Sequence, residues 1–387
     1  MFQLDAQQRE LRREVREFVD REILPRSAAY EQSAVFPKAL FSRLGELGYL
    51  DLSFYHQRPG AGHGGIESMI VMEEIARGLP SMTLSMSPHV QCMNLIGCCG
   101  AQSLKDRVIA PAIRGELLLA FAISEAAGGS DALGIDTMAV FDGDAWVLNG
   151  EKCWITNGSA ADGYLVAAKS ARSGRYRDVS LFYVAADTPG LDDSLRVSLI
   201  GMNNSPTGTI RMENCRVPPD CLVGRENDAY ELVKVLLDEG RLDMAALAVG
   251  IAQGAMECTI RHTSKSGRYG RSLASYQGVS FQVARMYEKI FVARNSLYTV
   301  ADMLQNQQRA GMEAAALKLY ASEMCLEVCR AAVQLHGAHG LSQYSDVDRY
   351  FRDAQMLTIG EGSSEICQIV ISSKLYHAEQ RGDGPCY

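Results

Sequence analysis

Apolar residues recur at helical spacing from the start of the chain. Leu4, Leu11, Val15 and Phe18 form a stripe among Arg, Glu and Gln, predicting a helix over 3–20 that Pro25 ends or bends. Further helices are predicted over 37–47, 66–78 and 83–113, with a glycine-rich loop at 59–65 and an interruption at Gly97-Cys-Cys-Gly100. Residues 1–118 therefore read as an all-helical domain. The period changes at about Leu119. Short alternating runs at 138–141, 146–148, 164–168, 179–184 and 207–212 are punctuated by Asp142-Gly143, Asn149-Gly150 and Asn157-Gly158. No helical stretch separates them, so 119–225 is expected to be a central antiparallel β domain. No GxGxxG opens a helix after a strand, which argues against a Rossmann unit. Helical periodicity returns over 230–260, 277–305, 310–337 and 362–376, predicting a C-terminal four-helix bundle within 226–387.

Composition narrows the class. At 387 residues the chain is long enough for two or three packed units, and an apolar content of 47% with 22% charged residues is that of a globular protein. A net charge of −8 leaves no basic excess for a nucleic-acid backbone. No apolar run reaches membrane-spanning length, and the charged N-terminus has no signal-peptide core, so no membrane insertion and a cytoplasmic location are expected. The 11 cysteines lie mostly among apolar neighbours without CxxC or nearby His. They read as reduced structural thiols, and no metal site is expected.

Two stretches carry candidate chemistry. Residues 121–158 read FAISEAAGGSDALGIDTMAVFDGDAWVLNGEKCWITNG. Asn149-Gly150 between apolar runs signals a hairpin turn, and Gly128-Gly129 allows close backbone approach to a flat or anionic group. Trp154 and Thr156, two apart in a strand, fall on one face. This reads either as the wall of an aromatic-cofactor pocket or as an ordinary hairpin with one core Trp. The second stretch is Met356-Leu-Thr-Ile-Gly-Glu-Gly-Ser-Ser-Glu365. A carboxylate at Glu361, crowded by small residues, suits proton abstraction if it is desolvated, because burial raises its pKa. Alternatively it decorates a helix N-terminus. Glu73-Glu74 reads as a solvated or interdomain feature, since adjacent helix residues do not face each other.

Together and in this order, these pieces resemble the acyl-CoA dehydrogenase family over essentially the whole chain. Residues 121–131 resemble its first signature. Asn149-Gly-x-Lys152-x-Trp-Ile-Thr-Asn157 resembles its flavin strand, and residues 334–340, Arg352-Asp353 and Glu361-Gly-Ser-Ser resemble its C-terminal signature. The resemblance implies FAD as cofactor and Glu361 as the base that takes the α-proton of an acyl thioester while the β-hydrogen leaves as hydride to flavin N5. The oxyanion would be met by the Glu361 N–H and the flavin ribityl hydroxyl. Ser124, Ser130, Trp154, Thr156 and Ser363 would contact the flavin. Gln277, Gln334 and Gly337 match positions that reach the FAD of a neighbouring subunit, in a homotetramer. Asp238, Arg241 and Gly360 would line the thioester site. Some relatives place the base at the position of Gly240, which leaves Glu361 as the candidate here.

The chain departs from the family's pattern at several points. Ser124-Glu-Ala-Ala replaces Thr-Glu-Pro-Gly, and Ser266 and Asn203 stand where Arg is usual. Lys265 or Arg268 are the nearest substitutes for the first of these. Gly360 stands where Tyr often precedes the base, which hints at a bulky, branched or cyclic acyl group unless a neighbour fills the space. The reading that follows is an FAD-dependent acyl-CoA dehydrogenase passing electrons to an electron-transfer flavoprotein. Alternatives are the same chemistry on an acyl or aminoacyl group tethered to an acyl carrier protein, enoyl-thioester reduction, and a flavin-free scaffold or thioester-binding subunit.

Overall fold

The computed structural model describes residues 2–52, 65–170, 178–265, 267–268, 270–306, 308–343 and 345–381. Helix α1 (Ala6–Phe18) starts at a capping box, in which Asp5 Oδ1 accepts from the Gln8 N–H at 2.8 Å and Gln8 Oε1 accepts from the Asp5 N–H at 3.1 Å. A π turn (Val19–Ile23) and a short 3₁₀ turn containing Pro25 carry the chain into α2 (Ser27–Ser33) and α3 (Lys38–Glu46). Helices α4 (Ile66–Gly78), α5 (Pro80–Cys99) and α6 (Gln102–Ile113) complete the N-terminal helical part. Both α4 and α5 lie buried along almost their whole length, polar residues included. The glycine-rich loop expected at 59–65 falls outside the described residues except for Gly65.

The central part contains β1 (Leu119–Ala122), β2 (Met138–Phe141), β3 (Trp146–Thr156), β4 (Gly163–Ser170), β5 (Ser180–Ala185), β6 (Leu191–Arg196), β7 (Thr207–Val217) and β8 (Leu222–Val223). The sheet order is β6-β7-β3-β2-β4-β5-β8, with β1 alongside β4. Its pairings are antiparallel, as expected, except that β1 and a two-residue contact of β2 run parallel to β4. The hairpin expected at Asn149-Gly150 is not one. The β2–β3 turn is at Asp142-Gly143, where Asp142 Oδ1 accepts from the N–H groups of Asp144 and Ala145 and Gly143 has φ +104°. Asn149 and Gly150 lie inside the continuous strand β3, at a bulge against β7. Asn149 Oδ1 accepts from the N–H of Asn214, which stands at φ +50° on the bulged partner. A Cβ on Gly150 would press on Thr137. Asn-Gly supplies the same backbone freedom to a bulge as to a turn, which is why the pattern misleads.

The C-terminal part holds α7 (Tyr230–Lys265), α8 (Gln277–Gln305), α9 (Gly311–His336) and α11 (Ser364–Arg381) as the four long helices, with α10 (Asp346–Ala354) inserted before the last. A two-residue hairpin, β9 (Gly267–Arg268) and β10 (Arg271–Ser272), connects α7 to α8. One core cluster fills the β part and its contact with α5 and α6, and another joins α4, α7, α8 and α9. Helix α7 is the axis of the molecule. It packs on α4 through Gly250, whose missing Cβ admits the Glu73 carbonyl and the Ala76 methyl. It also packs on α5, α8, α9 and α10. No helix of the described residues is long and apolar enough to cross a membrane.

Candidate active site

Two groups of side chains stand out, one on the sheet and one between α5, α7 and the loop before α11. On the sheet, a second bulge in β3 between Lys152 and Ile155 puts Trp154 at φ +61°. A left-handed aromatic residue is rare and strained. The indole is turned outward, 62% exposed, while Ile155 is buried and Thr156 lies partly open. Trp154 is thus outward and Thr156 partly open, across a bulge that interrupts the regular alternation of the strand. Ser124 lies beside them, its carbonyl accepting from the Cys153 N–H at 3.0 Å, and Gly128, Gly129 and Ser130 follow in an exposed loop.

That loop is anchored by a residue whose role the sequence did not single out. The buried carboxylate of Glu125 accepts from Lys152 Nζ (2.7 Å), Thr137 Oγ1 (2.6 Å) and the N–H groups of Asp136 (2.6 Å) and Thr137 (3.0 Å). Burial alone would raise its pKa, but these donors outweigh it and hold the carboxyl below its ordinary range. Lys152 also donates to the Ile123 carbonyl at 3.0 Å, and burial lowers its pKa to about 8. The pair fixes the glycine-rich loop to the strand that carries Trp154.

In the second group, Glu361 itself has φ +53° and Gly362 φ +90°. The turn throws the Glu361 side chain onto α7 at Gly240, where any Cβ would overlap Oε2 and stand 2.9 Å from Cδ. The glycine that cannot act as base is what makes room for the carboxylate. Burial raises the Glu361 pKa, opposed by the charges of Arg241 and Lys318. Lys318, wholly buried on α9, donates to the Gly362 carbonyl and so pins the turn from below. Arg241 is also buried. Its Nη1 donates to Asp238, and its Nε has no hydrogen-bond partner among the described residues. The remaining walls are Gln91 of α5, with Nε2 3.2 Å from the Gly240 Cβ position, and the buried Asp243. The sequence reading missed Lys318, Gln91 and Asp243. The one signal available was the i, i+3 spacing of Gly240 and Asp243 on a single helix.

The other expected residues are more scattered. Gly360 does leave space beside the base, but the Met356 methyl stands 2.9 Å from its Cβ position, so a neighbour occupies part of it. Ser363 Oγ accepts from the Ile366 N–H at 3.3 Å, capping the start of α11. Gln277, Gln334 and Gly337 are exposed at the ends of α8 and α9. Among the described residues no hydrogen bond ties them to either group. Asn203 belongs to a contact between the parts of the chain, its Nδ2 donating to Glu31 Oε1 at 2.7 Å. Ser266, Tyr269 and the side chain of Arg268 lie outside the described residues.

Comparison with known proteins gives this helical, sheet, helical chain its family. Family models described as the N-terminal, middle and C-terminal domains of acyl-CoA dehydrogenase match residues 5–116, 120–215 and 230–376. The chain is 34% identical to the probable acyl-CoA dehydrogenase YngJ of Bacillus subtilis, over 97% of this chain and 99% of that protein. It is 32% identical to CarC, a subunit of the caffeyl-CoA reductase-Etf complex of Acetobacterium woodii, over 95% of this chain and 98% of that one. The butyryl-CoA dehydrogenase structure from Megasphaera elsdenii superposes with a TM-score of 0.91 at 29% identity, covering 97% of this chain and 100% of that one. The chain belongs to the acyl-CoA dehydrogenase family, whose general chemistry is FAD-dependent dehydrogenation.

Proposed function

We propose that the protein is an FAD-dependent acyl-thioester dehydrogenase of the acyl-CoA type, with Glu361 as its base. The observation that carries this reading is the Glu361 carboxylate seated against bare Gly240, desolvated yet faced by two cations. Desolvation makes the carboxylate a stronger base toward a carbon acid, and the charges of Arg241 and Lys318 oppose the rise in its pKa. Glu361 removes the α-proton, and its own backbone N–H meets the thioester oxygen as negative charge develops there. FAD, when bound, accepts the β-hydrogen as hydride.

The residues present fit the cofactor. The outward indole of Trp154 offers a flat apolar face, Thr156 a hydroxyl on the same side, and Ser124 and Ser130 polar groups on a loop that Glu125 and Lys152 hold rigid. Ser363 would add a contact from the base's own loop. Asp238, Arg241 and Gly360 would face the thioester. The exposed Gln277, Gln334 and Gly337 are suited to meet the cofactor of a neighbouring subunit in a tetramer. An electron-transfer flavoprotein is the proposed redox partner. A second reading, reduction of an enoyl thioester, draws support from the likeness to CarC.

The test is an anaerobic spectrum of the FAD-loaded protein mixed with acyl-CoAs and acyl-loaded carrier proteins. Bleaching by one class of thioester, lost in Glu361→Gln with the yellow colour retained, is the expected result. Reoxidation of prereduced protein by an enoyl thioester, without bleaching by any saturated one, would favour the reductase. A protein that cannot be loaded with FAD would leave the scaffold reading.

A further inference from the structure

Past Gly240 the site is acidic and rich in hydrogen-bond acceptors, which is the wrong chemistry for a plain hydrocarbon chain. Asp243 lies three residues beyond Gly240, on the same face of α7 and about 4.5 Å further along the axis. It is 6% exposed. Ser87 Oγ donates to Asp243 Oδ2 at 2.7 Å, and Gln91 Nε2 donates to the same oxygen at 3.1 Å and to Ser87 Oγ at 3.0 Å. The donors of this patch are thus spent on one another. What remains are acceptors: Gln91 Oε1, buried without a hydrogen-bond partner among the described residues, and Asp243 Oδ1, since Ser87 and Gln91 both donate to Oδ2. Turning the Gln91 amide over would set its oxygen against a carboxylate, so its orientation follows from the chemistry.

Charge points the same way. Burial foremost, and then the anionic Glu239, one turn back on α7, and Glu361, push the Asp243 carboxyl up to about 7 against the hydrogen bonds from Ser87 and Gln91. The cations of the site, Arg241 and Lys318, act on Glu361. A buried acid with, among the described residues, neither an ion-pair partner nor a full set of donors is costly to keep for structure alone, and a ligand bearing both would relieve it.

We propose that the acyl group accepted here carries an amine, held at its far end by Asp243 and Gln91. The proposal rests on Glu361 being the base. The spacing between Gly240 and Asp243 puts the nitrogen three or four bonds past the α-carbon, as in a 4-aminobutyryl or 5-aminopentanoyl thioester. An ammonium donates to Asp243 Oδ1 and Gln91 Oε1 and neutralises the Asp243 charge. A methyl in its place leaves both acceptors stranded.

The test is calorimetric titration of the FAD-loaded protein with non-reacting thioethers, S-(4-aminobutyl)-CoA against its isostere S-pentyl-CoA. The matching phosphopantetheine thioethers are run beside them, so that a carrier arm and a CoA arm are distinguished. The wild type is expected to bind the aminobutyl compound roughly tenfold or more tightly, because a site built to hydrogen-bond a group rejects the analogue lacking it. Asp243→Leu should reverse the order, and Asp243→Asn, which keeps an acceptor for Ser87, should narrow it. Equal or better binding of the pentyl compound by wild type, or a preference that survives Asp243→Leu, overturns the amine proposal while leaving the dehydrogenase reading intact. Failure of all four thioethers to bind overturns the proposal. If no acyl thioester bleaches the flavin either, the reading beneath it falls as well.

Discussion

Trp154 and Glu361 share an unusual property: both are non-glycine residues at positive φ, and both are the groups proposed to face the reaction. Such a backbone costs about 1–3 kcal/mol and persists where surrounding contacts overdetermine it. Trp154→Gly should therefore leave the thermal midpoint of the FAD-free protein unchanged or higher while weakening FAD binding. A large loss of midpoint would mean that the indole serves packing instead. Asp243 makes a related prediction for pH. Its folded-state pKa is raised, so its contribution to stability is fully present below the unfolded carboxyl pKa and lost as pH rises toward about 7. Asp243→Asn should accordingly raise the midpoint more at pH 8 than at pH 4, measured by calorimetry. His89 shows the structural counterpart of such groups. Burial lowers its pKa to about 3, and Nδ1 accepts from the Leu119 N–H while Nε2 faces the Ala112 carbonyl. It is a neutral brace between α5, α6 and β1, with no part in proton transfer.

At the scale of elements, the long apolar helices and the β runs were legible because their periods are strong. The helix over 277–305 matches α8 at both ends. What escaped has identifiable causes. Strand β6 reads Leu-Asp-Asp-Ser-Leu-Arg and is an exposed edge strand paired only with β7, so it carries little apolar alternation. Helix α10 was hidden because its nine residues carry five charges, though its apolar edge is buried. Asn149-Gly150 was read as a turn because composition reports backbone freedom and not chain direction. Of the site, Glu361 and the outward pair Trp154 and Thr156 could be read from local pattern and resemblance. Glu125–Lys152, Lys318–Gly362 and Ser87–Gln91–Asp243 join distant segments, so they required the fold. Gly240→Ala tests one such junction. Its methyl has nowhere to go but onto the Glu361 carboxylate, so turnover should fall about 10²-fold or more while the far-ultraviolet spectrum is unchanged.

Across the whole molecule, buried charge joins the parts of the chain. Glu73 and Glu74 are buried, which corrects the solvated alternative and supports the interdomain one. Glu73 pairs with Arg12 and Arg294 and accepts from Tyr298 Oη at 2.7 Å. Glu74 pairs with Arg12, Arg16 and Arg77. Glu73→Ala would strand Arg294 and Arg12 between α1, α4 and α8, and we expect a loss of about 3–5 kcal/mol in denaturant unfolding. The sheet is joined to α10 at Gly201, where a Cβ would strike the backbone of Arg352 and Asp353, and by the Met202 N–H donating to Asp353. Arg352 and Asn203 meet on Glu31 of α2, so the position where an arginine was expected serves interdomain contact. These junctions set the sheet's indole and the helical base in a fixed relation, which the proposed chemistry requires.

The proposed chemistry turns on Glu361 taking the α-proton. The most direct measurement is exchange of the α-hydrogens of a bound acyl thioester with D₂O, followed by NMR under anaerobic conditions in the FAD-loaded protein. Exchange is expected in the wild type and should slow about 10²–10⁴-fold in Glu361→Gln. The wild-type rate should rise with pH through a pKa above the ordinary carboxylate value. Exchange that persists undiminished in Glu361→Gln would contradict the assignment and place the base elsewhere.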